Sequence, residues 1–205
     1  MARTPLSDFE IAEAALSAGF TLNGTATAVA VALAESGGRP DVVNTAGNHP
    51  ASRDRGLWQI NDYYHPEVSD AEAFNPVLAA REAYRISNGG TNWHPWATWV
   101  SGAHLKFLHR ADIAARAVSP SAFTLYRYLR LTSPQMFGVD VAVLQHQLAK
   151  LPPVAHAPKV EITGVFSPLT GAVVQQFQHS QKLTADGIVG PLTARALGWS
   201  WVLRA

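Results

Sequence analysis

Residues 32–61 read ALAESGGRPDVVNTAGNHPASRDRGLWQIN, and two acids nineteen positions apart, Glu35 and Asp54, carry most of what this chain discloses. Glu35 closes the apolar run Ala28-Val29-Ala30-Val31-Ala32-Leu33-Ala34 and is followed by Ser36-Gly37-Gly38, a helix stop. An acid in the last turn of such a helix is desolvated on at least one flank. It also faces the negative end of the helix dipole, and both effects raise a carboxyl pKa. Asp54 has opposite surroundings, with Arg53 and Arg55 on either side, and these favour the ionised form. Two carboxyls pushed apart by their environments suit a proton donor and a nucleophile or charge stabiliser. The plain alternatives are a solvated helix-end acid at 35 and, at 54, a turn acid that only bonds backbone.

Cleavage of a glycosidic bond needs that pair: a protonated carboxyl for the leaving oxygen, and negative charge or a nucleophile beneath the oxocarbenium-like carbon. The pair Glu35-Ser36 resembles the Glu-Ser catalytic motif shared by lysozymes and lytic transglycosylases. The segment Asp54-Arg55-Gly56-Leu57-Trp58-Gln59-Ile60-Asn61 resembles the Asp-x-Gly-Leu-x-Gln-Ile-Asn strand of animal-type lysozymes and of actinobacterial phage lysozyme-like domains. The resemblance implies Glu35 and Asp54 as catalytic residues, with Ser36, Asn44, Gln59, Asn61, Tyr64, Trp93 and Trp96 around the substrate. Read as a strand, 57–61 puts Gln59 and Asn61 on the cleft face and Trp58 and Ile60 in the core.

At 205 residues the chain has room for one or two domains, and 47% hydrophobic against 15% charged residues excludes global disorder. The absence of cysteine removes disulfides and thiolate metal sites. The eight histidines never form His-Glu-x-x-His, so neither a catalytic zinc nor any other cofactor is expected. Charge is uneven. Residues 1–120 hold nine Lys/Arg against twelve Asp/Glu, net −3, and residues 121–205 hold seven against three, net +4. A mildly basic tail suits an anionic cell wall, whereas nucleic acid would call for a denser basic stripe. Asp8, Glu10 and Glu13 stand where a signal peptide would carry positive charge and then an apolar core. The expectation is a protein made in a host cytoplasm without a signal peptide and acting on the wall outside. The run 25–34 is too short to span a bilayer, so no stable membrane insertion is expected.

Stop and start signals give the coarse organisation. Ser7-Asp8-Phe9-Glu10 is a capping box ahead of a helix over about 8–17 that stops at Gly19, with Leu6 and Ile11 spaced as a hydrophobic staple. A second helix runs over about 25–35, and residues 41–61 read as an irregular hairpin. Asn75-Pro76 starts a third helix with Val77, Ala80 and Tyr84 on one face, and Pro95 a fourth carrying Trp96, Trp99 and Val100. Further helix is expected over 103–117 and 121–130, and no internal repeat is visible. Trp58, Trp93, Trp96 and Trp99 crowd near Tyr63 and Tyr64, and aromatic rings stack on the apolar C–H faces of sugars. The segment Ala83–Trp99 is similar to the helix-loop-helix behind the cleft of animal lysozymes. By that resemblance Trp96 is the ring desolvating Glu35, with Trp93 second, while Trp99 reads as core.

Beyond Leu131 the chain changes character. Val141, Leu144 and Leu148 mark one helix, a Pro-rich loop covers 151–158, and Ser167-Pro168 opens a second helix striped by Leu169, Val173 and Phe177. Asp186-Gly187-Ile188-Val189-Gly190-Pro191 is a turn into a short third helix. Gly164, Phe166, Thr170, Ala172, Val173, Phe177, Gln178, Asp186, Gly187, Val189, Gly190, Pro191 and Thr193 resemble the signature of the peptidoglycan-binding domain family, with Ser167 where a glycine is usual. Within it Asp186, Gly187, Val189, Gly190 and Pro191 are the expected wall contacts.

The two resemblances together imply a mainly α (α+β) protein. A lysozyme-like domain with a small β-hairpin over 1–120 is followed by a linker or helix over 121–133. An all-α three-helix peptidoglycan-binding domain fills 134–205. The implied protein is a monomeric muramidase, cutting between N-acetylmuramic acid and N-acetylglucosamine. It fits a phage endolysin or virion-associated lysin of a Gram-positive host, delivered by a holin or in the virion. Its partner is peptidoglycan and not nucleic acid. Two alternatives stay open: a lytic transglycosylase that leaves 1,6-anhydro ends, and a non-catalytic wall-binding structural protein.

Overall fold

Ser7 opens the first helix with a reciprocal cap. Its hydroxyl accepts from the Glu10 N–H at 3.3 Å, and the Glu10 carboxylate accepts from the Ser7 N–H at 2.7 Å. Helix α1 (Asp8–Ala18) then buries Ile11, Ala12, Ala14 and Ala15 and ends at Gly19, whose φ of 106° closes the turn. The computed structural model describes residues 3–46, 51–119, 123–151 and 160–202. It divides into two units, Met1–Val118 and Ser119–Ala205.

In the first unit α2 (Leu22–Ser36) starts three residues before its expected start, because Thr21 caps it and accepts from the Gly24 N–H at 3.1 Å. Ala28, Val29, Ala30, Val31 and Ala32 are all fully buried. A helix apolar on every side must be wrapped, and α1 and α6 (Leu108–Val118) pack against it. Alanines at 111 and 114 on α6 lie in the same core, where small side chains let helices approach closely. A 3₁₀ turn at Leu105–Phe107 leads into α6.

The small β element is a three-stranded antiparallel sheet in the order β1 (Val43–Asn44), β2 (Asp54–Arg55), β3 (Ile60–Asn61). Its register sets Asp54 between Asn44 and Asn61. Residues 57–59 are a turn and not strand, and Gln59 takes a left-handed φ of 48°. Trp58 and Ile60 are buried as expected, but turn geometry rather than strand alternation puts Trp58 there, while Ile60 stands in β3. Gly56 is required twice over: its φ is 71°, and a Cβ would run into the Ala73 carbonyl. That carbonyl belongs to α3 (Asp70–Ala73), a short helix with its own Ser69–Glu72 capping box that the sequence reading passed over. Helix α4 (Pro76–Ile86) follows, capped by Asn75, and buries Ala79, Ala80 and Ala83, whereas Val77 is exposed. Helix α5 is the single turn Ala97–Val100, with Trp96 at its cap and Val100 exposed.

The second unit corrects the expected boundary. The described part of 121–133 is neither linker nor helix. Strand β4 (Thr124–Leu125) pairs in parallel with β5 (Ser200–Trp201), and Leu129 and Val189 exchange two backbone hydrogen bonds of 3.1 and 2.8 Å. Phe123, Leu125 and Leu129 are buried. The spacing Leu125–Leu129 fits a helix as well as a strand, and long-range pairing decides it. Among the described residues three helices complete the unit: α7 (Val139–Lys150), α8 (Pro168–Ser180) and α9 (Pro191–Ala196). The Pro-rich stretch 152–158 lies outside the described residues.

An internal repeat, missed in the sequence, organises these helices. Gln145 on α7 donates to the Val165 carbonyl at 2.9 Å and to the Thr170 hydroxyl at 3.0 Å, and accepts from the Gly164 N–H at 2.8 Å. Gln178 on α8 donates to the Ile188 carbonyl at 2.9 Å and to the Thr193 hydroxyl at 3.0 Å, and accepts from the Gly187 N–H at 2.8 Å. The segments GVFSPLT (164–170) and GIVGPLT (187–193) are thus equivalent, each with a left-handed glycine and a buried apolar residue two positions on. A fully buried glutamine whose amide is spent on both poles satisfies each turn without solvent. Among the described residues, no helix is long and apolar enough to cross a membrane.

Candidate active site

Helix α2 delivers Glu35 to the rim of a cleft, and the β-sheet delivers Asp54 to the same cleft. Gln59, Asn61, Tyr64 and Trp96 line it as well. Burial lifts the Glu35 carboxyl above its ordinary value and the negative charge of Asp54 adds to this, while the Thr98 hydroxyl and backbone N–H oppose it. The Thr98 hydroxyl donates to Glu35 Oε1 at 2.6 Å. The apolar wall beside Glu35 includes Trp96, and two indoles fix that ring. Trp58 Nε1 donates to the Ala28 carbonyl of α2 at 3.0 Å, and Trp96 Nε1 donates to the Trp58 carbonyl at 2.7 Å. The helix that carries the acid is therefore pinned to a ring that lines the same cleft.

Asn61 organises the opposite wall. Its Nδ2 donates to Asp54 Oδ1 at 2.7 Å and to the Ser52 hydroxyl at 3.3 Å. Its Oδ1 accepts from the N–H groups of Tyr63 and Tyr64 at 2.9 and 3.3 Å. One side chain thus aims the carboxylate and shapes the turn that presents Tyr64, which is 68% exposed and lies edge-on to Tyr63. Gln59 donates through Nε2 to the Gly56 and Val42 carbonyls at 2.8 and 3.3 Å, so its amide nitrogen is structural.

Several expected site residues stand elsewhere. Ser36 is buried, its hydroxyl donating to the Ala32 carbonyl and accepting from the Gly38 N–H; it closes the helix end and does not line the cleft. Asn44 is opposite Asp54 in register, but its Oδ1 caps the Ala46 N–H. Trp93 is a core residue stacked on Phe20 at 5.6 Å, and Trp99 stacks on the buried His104 at 4.3 Å. The arginines beside Asp54 serve other acids: Arg53 pairs with Asp62 and Asp70, and Arg55, 2% exposed, pairs with Asp70 and bonds the Val68 carbonyl. Period-two geometry in β2 explains this, since neighbours of Asp54 point away from its face. Sequence reasoning passed over His65, Ile86, Pro95 and Ala97, which also line the cleft, and Thr98. Pro95 and Ala97 flank Trp96 and were within reach; nothing in the sequence marks Thr98.

The expected wall contacts converge too, as scaffold. Asp186 Oδ1 accepts from Gln178 Nε2 and the Ile188 N–H, Gly187 bonds Gln178, and Val189 is fully buried with its backbone paired to Leu129. Gly190 and Pro191 start α9. No group of three His, Cys, Asp or Glu among the described residues is arranged to hold a metal ion.

Residues 12–98 match the family described as lysozyme like domain, and residues 137–197 match the putative peptidoglycan binding domain. The chain is 34% identical over 103 residues to a zinc D-Ala-D-Ala carboxypeptidase of Streptomyces albus G. That alignment covers 47% of this chain and spans only 40% of the length of that relative. No solved structure matches.

Proposed function

We propose that this chain, which joins a lysozyme-like domain to a peptidoglycan-binding domain, is a muramidase that hydrolyses the β-1,4 bond between N-acetylmuramic acid and N-acetylglucosamine. The observation that carries the reading is the cleft shared by a desolvated Glu35 and an Asp54 held by Asn61. Glu35 is the general acid, retaining its proton for the leaving oxygen. Asp54 is the nucleophile, base or charge stabiliser below the ring. Tyr64 and Trp96 offer faces to the sugars. The match to a D-Ala-D-Ala carboxypeptidase points to the same wall polymer. Biologically the protein is a phage endolysin or virion-associated lysin acting on a Gram-positive wall.

The competing reading is a lytic transglycosylase, which needs only Glu35 and lets the N-acetyl group of the substrate attack. The pairing of Arg53 and Arg55 with Asp62 and Asp70 favours it, because those acids draw on the cations next to Asp54 in the chain. One experiment separates the cases. Purified peptidoglycan is digested with wild type and with Glu35→Gln, and the products are weighed by mass spectrometry. Reducing ends from wild type and a loss of at least about a thousandfold in the variant are expected. Anhydro ends, one water lighter, overturn hydrolysis in favour of transglycosylation. Undiminished cutting by the variant removes Glu35 from the chemistry, and no cutting by either protein leaves a wall-binding structural role.

A further inference from the structure

Thr98 is unremarkable in sequence, yet it makes the shortest contact to the acid. Its hydroxyl lies 2.6 Å from Glu35 Oε1, and its backbone N–H reaches the same carboxyl. That N–H belongs to the first turn of α5, where no intrahelical acceptor exists, and Trp96 at the cap offers no side-chain bond. Behind it the Thr98 carbonyl accepts from the His104 N–H at 3.3 Å and faces His104 Nδ1 at 3.2 Å, and the His104 ring is buried against Trp99. Thr98 is therefore clamped from the rear while both its donors face Glu35.

A carboxylic acid can carry its proton on either oxygen, and only one of them suits a leaving group lying in the cleft. Resting on the reading of Glu35 as general acid, we propose that Thr98 is a positioning residue: by donating to Oε1 it makes that oxygen the acceptor and leaves Oε2 to carry the proton toward the glycosidic oxygen. When Glu35 has given up the proton, the same two donors hold the carboxylate. It can then take a proton back from water, or from the attacking group, without rotating. The clamp opposes burial, so the acid is tuned and not simply dried.

The test uses the full chain on soluble glycan strands, with turnover followed across pH. Thr98→Val keeps the shape and removes the donor. Turnover is expected to fall about tenfold or more as the proton is presented from the wrong oxygen. The alkaline limb of the pH profile should move upward, because a donor that favours the ionised form is gone. Thr98→Ser should restore both, and Thr98→Ala serves if the valine variant unfolds. A Thr98→Val enzyme with the wild-type limb and rate, beside an inactive Glu35→Gln, overturns the role of Thr98 alone. An active Glu35→Gln overturns the assignment of the acid together with it. A lowered rate with no movement of the limb and no rescue by serine reduces Thr98 to packing and also refutes the proposal.

Discussion

The Glu35 carboxyl is held where a solvated one would be more stable, and this has a measurable cost. Burial first, then the charge of Asp54, raise its pKa above the ordinary 4.5, so the folded protein binds a proton that the unfolded chain has released. Stability is then lost as pH rises from 4.5 through the raised folded value. Glu35→Gln should melt higher than wild type at neutral pH, with the gap closing below pH 4.5. Thermal melts at pH 4 and pH 7 check this, and an equal gap at both would reject desolvation as the cause. This acid was legible in sequence because its burial follows from a local run, Ala28–Ala34, and its helix stop from two adjacent glycines. The electrostatics of Asp54 were not legible in the same way. Arg53 and Arg55 are its neighbours along the chain, but their partners Asp62 and Asp70 lie nine or more residues further on, a pairing no local reading supplies.

Elements with local signatures are legible in the sequence, α3 included although its capping box was passed over, and those that depend on distant partners are not. The Ser7–Glu10 capping box and the Asn75-Pro76 start are complete within four residues, so α1 and α4 were predictable from them. Residues 58–61 alternate apolar and polar like a strand, but Gly56 must approach the Ala73 carbonyl, and the chain turns to allow it. The glycine of the Asp-x-Gly motif is thus a packing requirement between β2 and α3. Gly56→Ala would force a Cβ against that carbonyl and hold a left-handed φ that alanine resists. A loss of roughly 3 kcal/mol is expected from strain and overpacking together. That lowers the melting of the first unit by roughly 10 °C. Differential scanning calorimetry of the full chain reads this directly. An unchanged transition would show that the β2–α3 contact relaxes freely, and Asp54 would then owe its placement to its pairing with β1 and β3.

At the scale of the whole molecule the proposed function divides the labour between the two units, one cutting and the other holding the polymer, and a tether raises the local substrate concentration without new catalytic contacts. The second unit holds more than the three helices of its described residues. Phe123, Leu125 and Leu129 are buried in it, and β4, β5 and the Leu129–Val189 pair tie its first described residues to its last. The turns at 164–170 and 187–193, each built on a buried glutamine, repeat one unit, whereas the stretch before Pro134 depends on pairing with residues far along the chain. The repeat accounts for the helices, and the flanking strands are visible only once the ends of the unit meet. A fragment of residues 119–205 should therefore fold alone with one cooperative transition and cosediment with Gram-positive sacculi. A fragment beginning at 134 loses three buried side chains, worth roughly 5 kcal/mol or more, enough to leave a domain of this size largely unfolded. Circular dichroism melts of both fragments check the boundary, and equal melting would make 119–133 dispensable. The 119–205 fragment, if folded yet left in the supernatant with sacculi of several Gram-positive genera, would refute the anchoring role. Removal of this unit from the full chain should then cost nothing on whole walls, whereas the anchoring reading expects clearing of walls to fall well below cutting of short soluble glycans.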